Sequence, residues 1–173
     1  MAKTLIAYFS RRDENYVGIS KEVLTVGNTE IAVRKIRELI DADVFEVAMK
    51  KPYSKGYEDA MRESKADLDA NARPELVALP DGIADYDTVI LAYPNYWDTM
   101  PMAMFTFLEA FDFTGKKVLP LCTNEGGDMG NSIYDIRRTC RGIKLCGGLS
   151  LAGCGVNDSK PFIEKWLRAN GAM

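Results

Sequence analysis

The sequence contains no histidine. This removes the commonest general base near neutral pH, the commonest zinc ligand and the middle member of a Ser-His-Asp triad, and it argues against hydrolytic chemistry carried by side chains alone. No two cysteines stand at C-x-x-C spacing: Cys122, Cys140, Cys146 and Cys154 are scattered over the last third of the chain and read as reduced, core-packing thiols. Long apolar runs are missing as well. No stretch is long enough to span a bilayer, and the amino-terminal MAKTLIAYFS reaches the polar Ser10 before it has the apolar length or cleavage site of a signal peptide, so the expected location is cytoplasmic. Charge of one sign is also absent. Lys plus Arg number 22 against 25 Asp plus Glu, and a net charge of -3 is too mild to point to nucleic acid or an anionic membrane. Chemistry in such a chain falls most naturally to a cofactor that the protein binds, orients and tunes.

What is present is a chain of 173 residues, 47% of them apolar, which suits a single domain spanning 1–173. Short apolar runs alternate with amphipathic segments. Leu5–Phe9 reads as a strand and Thr29–Asp41 as a helix, with Ala32, Val33, Ile36, Leu39 and Ile40 on one face. Asp43–Val47 is a second strand, followed by a polar, peripheral helix from Tyr57 to about Asn71. Thr88–Tyr93 is apolar throughout, as in a parallel strand buried on both faces, and stops at Pro94. Pro101 suits the first turn of a helix that runs from Met102 to Phe111. Lys117–Cys122, Asn131–Arg141, Leu149–Ala152 and Ser159–Asn170 continue as strand, helix, strand and helix. Five strand–helix alternations predict an α/β fold: a parallel sheet with helices on both faces and right-handed crossovers.

In an open parallel sheet, ligands sit beyond the carboxyl ends of the strands. Three loops emerge there. Residues 10–29 end in Gly27-Asn28-Thr29 at the start of a helix, where free amides and the positive dipole end suit a phosphate, although an ordinary helix cap has the same sequence. Residues 94–100 carry Tyr96-Trp97, flat surfaces able either to stack on an aromatic cofactor or to anchor the loop by packing. Residues 123–130, TNEGGDMG, combine glycines that admit close backbone approach with polar edges at Thr123, Asn124 and Glu125, and also read as a plain glycine-rich turn. Their convergence on one sheet edge favours a flat cofactor bearing a phosphate.

With AYFSR near its start, then GNTE, YPNYWDTMP and TNEGGDMGNS in order, nearly the whole chain resembles the flavodoxin family, in particular a bacterial branch of it. The resemblance implies a flavodoxin-like three-layer sandwich around a five-stranded parallel sheet of order 2-1-3-4-5. It implies FMN as cofactor, with the phosphate held by Ser10, Arg11, Gly27, Asn28 and Thr29. Ring contacts would come from Pro94, Asn95, Tyr96, Trp97, Thr123, Glu125 and Gly127, and Asn124, Gly126 and Met129 of the same loop belong to the implied cofactor-binding set, with no catalytic side chain and no metal. The implied role is a low-potential electron carrier, monomeric or weakly dimeric, working between a reductase and an acceptor protein; an NAD(P)H-dependent FMN or quinone reductase of the same fold is the alternative. A receiver-like signalling domain is remote, since Ser10-Arg11 stands where an acidic pair is expected and Cys154-Gly155 where a lysine is. Two features depart from the family pattern. The phosphate loop is split by 15 residues, Arg12 to Val26, with alternating apolar positions that suit a small flap or a surface excursion, and Asn95-Tyr96-Trp97-Asp98 occupies the position of a flippable glycine.

Overall fold

The computed structural model describes residues 3–173; Met1 and Ala2, at the head of the amino-terminal run considered above, lie outside the described residues. The central sheet is built from β1 (Thr4–Tyr8), β4 (Asp43–Glu46), β5 (Thr88–Pro94), β6 (Lys117–Asn124), β7 (Lys144–Leu145) and β8 (Leu149–Ala152), all paired in parallel. Their lateral order is β4-β1-β5-β6, with β7 and β8 both laid against β6. Numbered by the expected strands this is 2-1-3-4-5, except that the fifth position is shared by two short strands. The interruption at Cys146-Gly147-Gly148 is sealed by side chains: Trp166 Nε1 donates to the Gly147 carbonyl at 2.7 Å, and Asn170 Oδ1 accepts the Gly147 amide at 3.1 Å.

Strands β1, β5 and β6 are buried on both faces because their side chains alternate between two cores. Ile6, Ile90, Ala92, Leu119 and Leu121 pack under α1 (Asn28–Arg37) and α5 (Lys160–Ala169). Leu5, Ala7, Val89, Leu91 and Val118 pack with the residues of α3 (Met102–Glu109) and α4 (Ser132–Thr139). Each fully buried Leu, Ile or Phe contributes about 1.5–3 kcal/mol relative to exposure, so these two apolar layers dominate the stability of the sandwich. Helix α2 (Tyr57–Asp69) buries only Ala60 and Ser64, in keeping with its polar sequence. Among the described residues no helix is long and apolar enough to cross a membrane.

The insert after β1 is a β-hairpin. Its strands β2 (Asp13–Val17) and β3 (Ser20–Leu24) pair antiparallel around a two-residue turn at Gly18-Ile19, where Gly18 has φ +63°. A 3-10 helix, Gly153–Asp158, follows β8 and leads into α5.

Candidate functional site

Strand β1 sits between β4 and β5, and the chain leaves β1 towards α1 on one face but leaves β5 towards α3 on the other. The loops therefore part at the carboxyl ends of these strands and open a crevice. In it lies a cavity of about 130 Å³, bordered by residues of all three loops, by the hairpin, by α2 and by Gly153.

At one end of the cavity is the start of α1. Gly27 is its N-cap, and no other residue fits there, because a Cβ would collide with Ser10 Oγ and the Arg11 carbonyl. Ser10 Oγ accepts the Glu30 amide at 3.1 Å, and the Ile31 amide bonds to the Gly27 carbonyl at 3.1 Å. The Asn28 and Thr29 amides are left without a protein partner among the described residues, and both residues line the cavity. Two unspent amides at a positive dipole end make an anion cradle. The Thr29 hydroxyl is committed elsewhere, to Thr123 Oγ1 at 2.8 Å. Arg11 borders the cavity, but its guanidinium is occupied by three carbonyls, those of Glu14 (3.2 Å), Ser54 (3.0 Å) and Lys55 (2.7 Å). Arg12 pairs with Glu30 at 3.2 Å, so the cradle is largely uncharged.

The other two loops are interlocked. Asn95 Nδ2 donates to the carbonyls of Gly127 (3.1 Å) and Asp128 (3.0 Å), and its Oδ1 accepts the Asp98 amide. Asn124 Oδ1 accepts the amides of Gly126 and Asp128, folding that loop on itself. Tyr96 and Thr99 close a tight turn whose central residues, Trp97 (φ +57°) and Asp98 (φ +63°), are both left-handed without being glycine. The Trp97 indole is anchored outward, Nε1 donating to Ser64 Oγ of α2 at 3.0 Å. Tyr96 is buried against Phe9, and its hydroxyl has no hydrogen-bond partner. Burial pushes the Tyr96 phenol well above its ordinary pKa, so it remains a neutral donor beside the cavity. An orphaned donor, free amides and aromatic walls suit a ligand with a polar anionic end and a flat ring.

A sequence model of the flavodoxin family matches residues 3–170. The chain belongs to the flavodoxin family. A search of curated protein sequences gave no match. Among solved structures it is similar to a candidate flavoprotein from Bacteroides eggerthii, with 25% identity over 100% of both chains and a TM-score of 0.80. It is similar to another from Bacteroides uniformis, with 26% identity over 96% of this chain and 98% of that one and a TM-score of 0.78. A flavoprotein from Lactobacillus acidophilus in complex with FMN shares the fold at 16% identity, 96% and 99% coverage and a TM-score of 0.65.

Of the residues that the flavodoxin resemblance singled out, Arg11, Asn28, Thr29, Pro94, Asn95, Tyr96, Thr123, Asn124 and Glu125 border the cavity. Ser10 and Gly27 lie directly behind the cradle, shaping it. Gly126 and Gly127 belong to the loop held by Asn124 and Asn95, Trp97 lines a neighbouring groove of about 770 Å³, and Met129 packs beneath Gly148. Five further residues border the cavity that the motifs did not indicate: Asn15, Tyr16, Tyr57, Met61 and Gly153. Gly153 lies where the Asn28 side-chain Nδ2 and the Glu125 carboxylate converge, leaving no space for a Cβ.

Proposed function

We propose that this flavodoxin-family protein binds one FMN in the crevice and acts as an electron carrier between redox partner proteins. The observation that carries the reading is the pairing, within one cavity, of unspent α1 amides at one end with aromatic surface at the other. The Asn28 and Thr29 amides would hold the phosphate, with the Ser10 hydroxyl close behind. Met61, Tyr57 and Tyr96 would border the ring, and Asn95 keeps the two ring loops at a fixed separation. Bound FMN supplies reversible acceptance of one or two electrons, which no side chain here can provide. The chain's own part is to exclude water through Tyr96 and Met61, to bind the anionic end, and to leave an edge within reach of a partner. Glu125, Asp98 and Asp128 stand exposed on the ring loops and give that edge a negative sign suited to a basic partner surface.

A second reading, an NAD(P)H-dependent FMN or quinone reductase, is favoured by one observation. The groove of about 770 Å³ between α2 and Trp97 shares Tyr57, Met61, Asn95 and Tyr96 with the cavity and has room for a second flat molecule. Titrating apoprotein with FMN and with riboflavin tests the cradle: FMN is expected to bind far more tightly, and equal affinities would remove the phosphate assignment. Anaerobic mixing of the FMN-loaded protein with excess NADPH then separates the functions. A carrier keeps its flavin colour until a reductase is added, whereas bleaching within seconds without one establishes the reductase.

A further inference from the structure

We propose that the hairpin inserted after β1 is part of the binding site, and that Tyr16 and Tyr57 together form an aromatic wall against which the cofactor ring packs. This rests on the FMN reading of the cavity. Of the three loops at the carboxyl ends of the strands, residues 123–130 carry no aromatic ring, residues 94–100 carry Tyr96 and Trp97, and residues 10–29 carry Tyr16 alone. Trp97, its indole tied to Ser64, borders the adjoining groove but not the cavity, and Tyr96, at the cavity border, is packed on one side against Phe9. The remaining aromatic surface comes from Tyr16 of the hairpin and Tyr57 of α2, whose rings meet edge to face with centroids 4.8 Å apart and an interplanar angle of 82°.

This pair is held in place from both sides. Glu14 Oε2 accepts the Tyr57 amide at 2.7 Å at the start of α2, and Lys21 Nζ pairs with Glu58 at 2.7 Å. The Glu14 amide bonds to the Lys55 carbonyl at 3.3 Å, and Arg11 clasps the carbonyls of Ser54 and Lys55. At the far end, a Cβ on Gly18 would stand 3.7 Å from Cys154 Cβ, so the turn of the hairpin reaches the residue after Gly153, itself at the cavity border. The hairpin thus spans the mouth from α2 to the segment following β8. A cavity of about 130 Å³ is smaller than the roughly 300 Å³ at which ligand pockets begin, so a ring must extend past Tyr57 into the adjoining groove, and Tyr57 borders both spaces. The apolar residues Ile19 and Val23 of the same hairpin are 99% and 76% exposed, border neither space and serve as internal controls.

The test is titration of apoprotein with FMN, followed by flavin fluorescence, for the wild type and single variants. Tyr16→Ala and Tyr57→Leu are expected to raise Kd by about fivefold or more and to brighten the bound flavin, while Tyr57→Phe stays within about twofold. Ile19→Ser and Val23→Ser should leave both readouts unchanged. Wild-type Kd and emission in folded Tyr16→Ala and Tyr57→Leu would overturn the wall. If Tyr57→Leu fails to fold, Tyr16→Ala, on the exposed hairpin, decides alone. Failure of the wild type to take up FMN would instead overturn the FMN reading and the wall with it, a result distinct from normal wild-type binding with unaltered variants.

Discussion

Thr29 does its work through a neighbour from the far side of the crevice. Its hydroxyl meets that of Thr123 at 2.8 Å in a fully buried contact, tying the first turn of α1 to the end of β6. Thr29→Val preserves the shape but strands the Thr123 hydroxyl, and a buried polar group left unpaired costs about 1–3 kcal/mol. We expect urea unfolding of the apoprotein to report that loss, with FMN affinity changed less, because the amide of residue 29 survives the substitution. Trp97 and Asp98 show a different economy of contacts. Two consecutive left-handed residues with side chains each carry about 1–2 kcal/mol of strain, and the turn persists because its surroundings over-determine it. The Asp98 carbonyl accepts the Asn131 amide at 2.6 Å, Asn95 holds the Asp98 amide, and the indole is fixed to Ser64.

At the scale of elements, the hairpin is a self-contained addition to the fold. A Cβ on Gly27 would stand 2.8 Å from the Arg11 carbonyl carbon, so the two ends of the insert lie side by side and a glycine linker can join them. Excising residues 12–26 should leave a single cooperative unfolding transition. The Tyr57 amide loses its Glu14 partner, worth about 1 kcal/mol at a helix start, which corresponds to roughly 2–4 °C in Tm for a chain of this size. Differential scanning calorimetry checks this, and loss of cooperativity would show that the hairpin belongs to the core.

How far these elements could be read from the sequence depended on the range of the interactions that make them. The apolar run at Thr88–Tyr93 and the facing residues Ala32, Val33 and Ile36 announce themselves locally, since burial on one face or both imprints a period. The expected helix Thr29–Asp41 ends at Arg37, with the chain turning tightly as both Leu39 and Ile40 donate to the Ile36 carbonyl. Lys144–Leu145 is too short to show any alternation, and the 3-10 helix GCGVND has no apolar period. Within the site, GNTE and TNEGGDMG mark backbone shapes and so were legible. The Tyr16–Tyr57 contact was not, because nothing local to either tyrosine encodes a partner in a distant element.

Taken as one body, the protein has an unusual proton inventory. With no histidine, no side chain of ordinary pKa titrates between the carboxylates and the thiols. On the alkaline side, burial pushes the Cys122 and Cys140 thiols up to about 12 from an ordinary value of 9.0, and the Tyr8 phenol up to about 12 from 10.0. The folded state keeps these groups neutral while the unfolded chain ionises them. Their contribution is therefore intact below about pH 9 and is lost progressively as pH rises towards 12. On the acid side, Glu38, Glu58, Glu63 and Glu109 are held below their ordinary 4.5 by Lys160, Lys21, Ser54 and Arg73 respectively. That support is present above pH 4.5 and disappears as pH falls through their lowered values, and it is small because the groups are exposed. Urea midpoints should form a plateau from about pH 6 to 8.5 and decline on both flanks, more steeply on the alkaline side.

The two rims of the sheet have a bearing on how crowded a solution this molecule can tolerate. One rim is β4, four residues long with Asp43 and Glu46 at its ends; the other is divided between β7 and β8 by the segment that Trp166 and Asn170 seal. Neither offers a passing chain an uninterrupted, uncharged backbone ladder on which to add a strand, which is the route by which exposed sheet edges seed aggregation. The broken fifth strand thus acts as a guard against self-templating, letting the crevice stay open to visitors while the flanks of the molecule stay closed to copies of itself.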